Sequence, residues 1–212
     1  YGGMNCPMKF PKGELILKLV PQIVMLPYAI DQLDQPICVE FYDFRPAEIF
    51  SIISFEDYFI FLIYSMEYRA LILEQIAERR ERILLRKYNN NPPLIVQSSC
   101  KNSELGYGII LRTCTVRNLK GLGFDCMSST SQKFIKEVIG AVSSNYPEFV
   151  GKAHVVNAPY VFKLVWPFIK QLLEPISINK VQIYNSNYLS SSHSIFHHIH
   201  RENLPKSLGE LI

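Results

Sequence analysis

Apolar residues recur at helical spacing between residues 55 and 73, at Phe55, Phe59, Leu62, Met66, Ala70 and Leu73. The pattern predicts one long helix over residues 50–88. Its second half is crowded with charges of both signs, Glu78, Arg79, Arg80, Glu81, Arg82, Arg86 and Lys87, which suits a solvated face. The run NNNPP at 89–93 ends it, and a polar loop continues to about residue 106. Upstream, residues 14–20 fit either a short helix or a strand. Pro21 and Pro27 predict irregular or extended chain, and residues 37–42 read as a short strand. Downstream, residues 109–119 (IILRTCTVRNL) alternate as a strand, and Thr113 and Thr115 share one face by its period of two. Ser128 to Ser131 can cap a helix whose apolar face is Phe134, Ile135, Val138, Ile139 and Val142. Residues 153–157 and 181–184 read as further strands, and 194–200 as a short helix. Strands alternating with helices predict an α/β fold with a mixed, mainly parallel sheet covered by helices.

The segment between the last two strands breaks the usual amphipathic pattern. Residues 160–173 are apolar nearly all round. Val161, Leu164, Val165, Phe168 and Leu172 form one stripe, and Phe162, Trp166, Ile169 and Leu173 form another. Such a helix is either deeply buried or meets something apolar on its second face. Pro159 opens it, Pro167 interrupts it and Pro175 closes it.

Composition narrows the function. An apolar fraction of 48% against 19% charged residues fits a folded domain with a large core. A net charge of +3 is too small to imply nucleic acid and is compatible with weak attraction to an anionic membrane. No apolar run reaches the ~18 residues of a membrane-spanning helix, so a soluble protein is expected. The five cysteines, Cys6, Cys38, Cys100, Cys114 and Cys126, show no C-x-x-C pair and read as free thiols of a reducing compartment.

Catalytic motifs find little support. GLGFDC at 121–126 lacks the third glycine of a dinucleotide fingerprint, and there is no P-loop or nucleophile elbow. His193 and His197 stand four residues apart among His198 and His200, without carboxylate or thiol ligands at metal spacing. No enzymatic role, metal or cofactor is expected. What remains is a set of polar residues in apolar surroundings: Thr113, Thr115, Tyr28, Tyr64, Tyr68, Glu148, Ser177 and Lys180. They either satisfy local backbone groups or hold the head of an amphiphile whose chains occupy an apolar cavity.

Five stretches, in order, resemble the CRAL-TRIO family, within it the secretory-pathway phosphatidylinositol/phosphatidylcholine transfer proteins. They are DQLDQPICVEFY at 31–42, TCTVRNLKG at 113–121, YPEFVGKAHVVNAP at 146–159, PISINK at 175–180 and ENLPKSLG at 202–209. The resemblance implies a sheet flooring a lipid cavity, closed by a mobile gate helix. On this basis residues 1–30 are a lead-in, a remnant or divergent form of the family's N-terminal helical subdomain, and 31–212 are the lipid-binding domain. Glu148, Ser177 and Lys180 match positions that hold an inositol phosphate head group. Thr113, Thr115 and Tyr68 match the choline phosphate site, where Cys38 replaces a tyrosine. The gate and acyl-chain wall would be Tyr160, Phe162, Val165, Trp166, Phe168, Ile169 and Leu172. The implied function is a monomeric, cytoplasmic, transiently membrane-associated carrier of phosphatidylinositol, with phosphatidylcholine as a second ligand. The alternative is a sensor module that presents bound lipid to a partner such as a lipid kinase.

Overall fold

The computed structural model describes residues 12–19, 23–42, 45–88, 112–146, 149–184, 188–190 and 194–209. A five-stranded sheet, in spatial order β1-β2-β3-β4-β5, forms its centre. Its strands are β1 (Ile23–Ile30), β2 (Pro36–Phe41), β3 (Thr113–Asn118), β4 (Val150–Val156) and β5 (Val181–Ile183). β1 pairs antiparallel with β2, and every later pairing is parallel. The mixed, mainly parallel sheet expected from the sequence is therefore present.

The antiparallel edge strand is an addition to the expected frame. The prolines at 21 and 27 predict irregular or extended chain, and residues 23–30 take the extended form as a strand. Pro27 falls at a register break between Leu26 and Ile30 on the sheet edge, where a missing N–H is tolerated. Asp31 fixes the turn that follows: its carboxylate accepts from the backbone N–H groups of Leu33 and Gln35, both at 2.8 Å.

The helices are α1 (Gly13–Leu19), α2 (Pro46–Ile49), α3 (Phe55–Lys87), α4 (Ser129–Asn145), α5 (Tyr160–Leu172), α6 (Pro175–Asn179) and α7 (Lys206–Gly209). Ser128 caps α4 by accepting from the Ser131 N–H at 3.2 Å. α5 ends at Leu172, two residues short of Glu174, and Pro175 then also starts the short α6, whose first turn suits a residue without an N–H. Residues 194–200 form only a 3-10 turn at Ile195–His197.

The sheet has two differently covered faces. On one, Ile37, Val39, Cys114, Val116, Val156 and Tyr184 pack against Tyr188, Ile195, Ile199, Leu204 and Leu208 of the C-terminal segment. Asn203 ties that segment down by donating to the Ile30 carbonyl at 2.9 Å. The other face carries the helices. Tyr58, Phe61, Leu62, Met66 and Leu73 of α3 join Ile16, Phe134 and Phe149 in a second core. Val155 and Leu119 pack against Phe162 of α5, while Val161 and Val165 of α5 pack against Cys126 and Ile135.

Candidate functional site

The helix-covered face of the sheet brings together two of the sequence-derived candidates, Thr113 and Thr115. Register places Cys38 and Glu40 of β2 beside Thr115 and Arg117 of β3, and these beside Ala153 and Val155 of β4. Ala153 in turn pairs with Val181 of β5, one residue after Lys180. Two strand spacings thus separate the Thr115 row from the Lys180 end of β5, about 10 Å.

Thr113 and Thr115 are both buried, and their hydroxyl oxygens lie 3.3 Å apart. The shared face expected from alternation is real. Thr113 donates to the Phe149 carbonyl at 3.1 Å, so the proton between the two hydroxyls comes from Thr115. Each threonine has one O–H, and both are spent inside the protein. Tyr68 does not join them: it is 41% exposed and stacks on Tyr64 with ring centroids 6.4 Å apart. Ser177 lies in α6 and Lys180 caps it, the Lys180 N–H donating to the Ser177 carbonyl at 3.2 Å. Both side chains are half-buried. Glu148, His193 and the side chain of Tyr28 lie outside the described residues.

α5 is anchored by one face. Val161, Phe162 and Val165 are buried, whereas Trp166, Phe168, Ile169 and Leu172 are half-buried. Tyr160, expected to line the acyl wall, is 71% exposed, and Leu164 is exposed with it. Both stripes are thus incompletely covered: Leu164 of the first is exposed, and Trp166 and Ile169 of the second are half-buried. Pro167 lies inside the helix without ending it. The bend into α5 is set at Asn157, whose positive φ of 53° suits a short polar side chain. Its amide donates to Asn118 Oδ1 at 2.9 Å, locking the N-A-P corner to the end of β3.

The principal feature that sequence reasoning missed is a buried charge network on this face. Glu40 accepts from Arg69 Nη1 at 3.0 Å with one oxygen, and from Arg117 Nε at 2.9 Å and the Tyr42 hydroxyl at 2.8 Å with the other. Burial opposes its charge, but Arg117, then Arg69, outweigh that and hold the carboxyl below its ordinary range. Burial, with Glu40 next, pushes the neighbouring Cys38 thiol up to about 11, so it is a neutral sulfhydryl at pH 7. Arg69 also lies 5.4 Å from the Phe149 ring centroid. The signal was present in the sequence. Arg69 occupies a core position of the α3 stripe, between Met66 and Leu73, and Glu40 interrupts an apolar strand.

On the opposite face, His154 is fully buried and its Nδ1 lies 2.9 Å from the Tyr184 hydroxyl. Its Nε2 has no partner among the described residues. Burial, then His198 and Lys152, push it down to about 4. Among the described residues no cluster of three His, Cys, Asp or Glu could hold a metal ion. None of the described helices is long and apolar enough to cross a membrane. A cleft of about 330 Å³ runs between α3 and α4, lined by Leu62, Met66, Val142 and Tyr146 among others.

A mixed sheet with hydroxyl and guanidinium groups on the face beneath an incompletely covered apolar helix defines an α/β domain suited to an amphiphilic ligand. The chain belongs to the CRAL/TRIO domain family, whose model matches residues 66–209. Among curated proteins, it is 38% identical over 82 residues to the SEC14 cytosolic factor of Yarrowia lipolytica, covering 38% of this chain and 16% of the relative. It is 34% identical over 102 residues to the Schizosaccharomyces pombe counterpart, covering 48% and 34%. It is 31% identical over 97 residues to the phosphatidylinositol/phosphatidylcholine transfer protein SFH11 of Arabidopsis thaliana, covering 46% and 25%. The matched part of the chain thus spans about a third or less of these relatives. Among solved structures, that of Sfh5 is similar over 85% of this chain and 52% of its own, at 16% identity and a TM-score of 0.47.

Proposed function

We propose that this chain binds one phospholipid against the helix-covered face of its sheet and exchanges it between membranes, without chemistry on the lipid. The observation that carries the reading is the pairing of polar groups with an incompletely buried apolar helix. Thr113, Thr115, Arg69 and Arg117 stand on or over one sheet face, and α5 covers part of that face while leaving apolar side chains of both its stripes partly open. An apolar wall suits acyl chains, at about 0.8 kcal/mol per buried methylene. The names of the relatives, cytosolic factors and phosphatidylinositol/phosphatidylcholine transfer proteins, support the same ligand class. In this reading α5 is the gate, hinging near Pro159, Pro167 and Pro175, and the protein works in the cytoplasm with transient membrane contact. The lipid-binding domain in this reading extends back from residue 31 to take in β1, which pairs with β2, and Ile16, which packs in the second core.

Phosphatidylinositol is the preferred ligand in this reading, with Glu148, Ser177 and Lys180 at its head group. A lysine near the chain reversal between α6 and β5 can donate hydrogen bonds to the inositol ring of that head group. The test is transfer of labelled phosphatidylinositol and phosphatidylcholine between vesicles. Lys180→Ala should lower phosphatidylinositol transfer more than phosphatidylcholine transfer, and equal loss of both would sink the assignment. Absence of any transfer, with lipid still bound, favours the second reading. There the long charged end of α3 offers a surface to a partner, and the lipid acts as a signal.

A further inference from the structure

The donor accounting on the sheet face leaves an imbalance. An anionic head group needs hydrogen-bond donors, and Thr113 and Thr115 have none to spare. The charge network has a surplus. Two guanidinium groups share the single Glu40 carboxylate, so the cluster carries one uncompensated positive charge. Arg69 is under-satisfied: its other polar contacts are to the sulfurs of Cys38 and Met66, and its buried Nε has no partner among the described residues. An unpaired buried donor beside an uncompensated charge costs stability unless something anionic arrives.

Arg117 is the accessible half of the pair. Its side chain is 38% exposed, and its hydrogen bond to Glu40 uses Nε alone. Among the described residues its two Nη groups make no hydrogen bond, and a guanidinium presents them as a fork matched to two oxygens of one anion. Its place is also informative. Arg117 is level with Val155, which packs under Phe162 of α5, while Glu40 reaches Arg69 of α3. The surplus charge therefore sits at the seam between the part of the face covered by α3 and the part covered by α5.

We propose that Arg117, backed by Glu40 and Arg69, is an oxyanion site that takes the phosphoryl group of the ligand, with the Nη fork as its donors. This rests on the reading that the face admits a lipid. Thr113 and Thr115 then act as positioning residues that brace Phe149 and β3, and the lipid phosphate is held by charge one pleat further along the strand. Free phosphate offers the same chemistry as a lipid phosphodiester, so the experiment separates the two sources.

Wild type and Arg117→Gln are incubated with vesicles of phosphatidylcholine and phosphatidylinositol doped with diacylglycerol, which lacks the phosphoryl group. The lipid taken up is measured by mass spectrometry. Wild type should favour phospholipid over diacylglycerol, and Arg117→Gln should lower that ratio at least tenfold, with Arg117→Lys in between. An unchanged ratio overturns the site. In a second arm, thermal unfolding is followed in phosphate against chloride at equal ionic strength. Stabilisation of wild type by phosphate, absent in Arg117→Gln, together with no lipid uptake by wild type, would keep the anion site and sink the carrier reading. No lipid uptake and no phosphate effect would overturn both. Arg117→Gln leaves Glu40 bonded to Arg69 and Tyr42, and a matching far-ultraviolet spectrum verifies its fold.

Discussion

Acid should destabilise this protein through His154 before its carboxylates titrate. The imidazole is fully buried, holds the Tyr184 hydroxyl through Nδ1 and has an Nε2 without a partner among the described residues. Burial, then His198 and Lys152, lower its pKa from 6.5 to about 4. The folded state thus keeps it neutral where the unfolded chain accepts a proton. The contribution is fully present above about pH 6.5 and is lost as pH falls towards 4. A tenfold difference in proton affinity between folded and unfolded chain is worth about 1.4 kcal/mol, and integrating between pH 7 and pH 5 gives a loss of roughly 2 kcal/mol. Asparagine can keep a hydrogen bond to Tyr184 but does not titrate. Urea unfolding of wild type and His154→Asn at both pH values should show wild type losing roughly 2 kcal/mol more, whatever fixed offset the smaller side chain causes. Glu40 does not confound the comparison, because wild type and His154→Asn both contain it and its contribution cancels in the difference. His198→Asn should recover only a smaller part, since burial is the larger cause of the lowered pKa. Parallel stability curves for wild type and His154→Asn would refute the reasoning, because the folded state would then accommodate the imidazolium.

Other outcomes follow from the packing. Glu40→Gln leaves two guanidinium groups facing each other across a neutral amide and should cost roughly 3–5 kcal/mol in chemical denaturation. Arg117→Gln should cost about 1 kcal/mol, because its side chain is partly exposed and Glu40 keeps Arg69. A larger loss for Arg117→Gln than for Glu40→Gln would contradict the shared-carboxylate account. Ser128→Ala should cost about 1 kcal/mol through the lost α4 cap. Phe162→Ala should cost roughly 3 kcal/mol and speed hydrogen exchange in α5 ahead of α4, since the ring joins α5 to Val155 and Leu119.

Much of the frame was legible because periodicity reports which side chains go inside. The α3 stripe, the Thr113 and Thr115 face and the α4 cap all follow from local spacing. β1 was obscured because Pro27 argues against a strand until the strand is known to lie at an edge, which only the pairing with β2 decides. Arg69, Glu40 and Arg117 were hidden for a different reason. Their partners lie 29 and 77 residues apart, and nothing local says that a charged residue at a core position has a matching one elsewhere. The head-group candidates were taken from resemblance, position by position. That route finds hydroxyls that match a motif but does not reveal that Thr113 and Thr115 already spend their protons on Phe149 and on each other.

The two faces of the sheet solve opposite problems with similar materials. The face under the C-terminal segment is closed by apolar packing, and its buried titratable group, His154, is kept neutral. The face under the helices keeps Glu40 and both arginines charged, held by mutual attraction against the cost of burial. A protein selecting only for stability gains little from the second arrangement, because well-packed apolar residues of similar volume serve at least as well as a buried ion cluster. The cluster also ends on Arg117, whose side chain is 38% exposed, near α5, which leaves Tyr160 and Leu164 exposed. Charge at that seam has a physical use if an amphiphile enters there: its chains extend the apolar packing of α5 while its anionic group takes up the surplus charge. Neither half of that arrangement is explained by the packing of the chain alone.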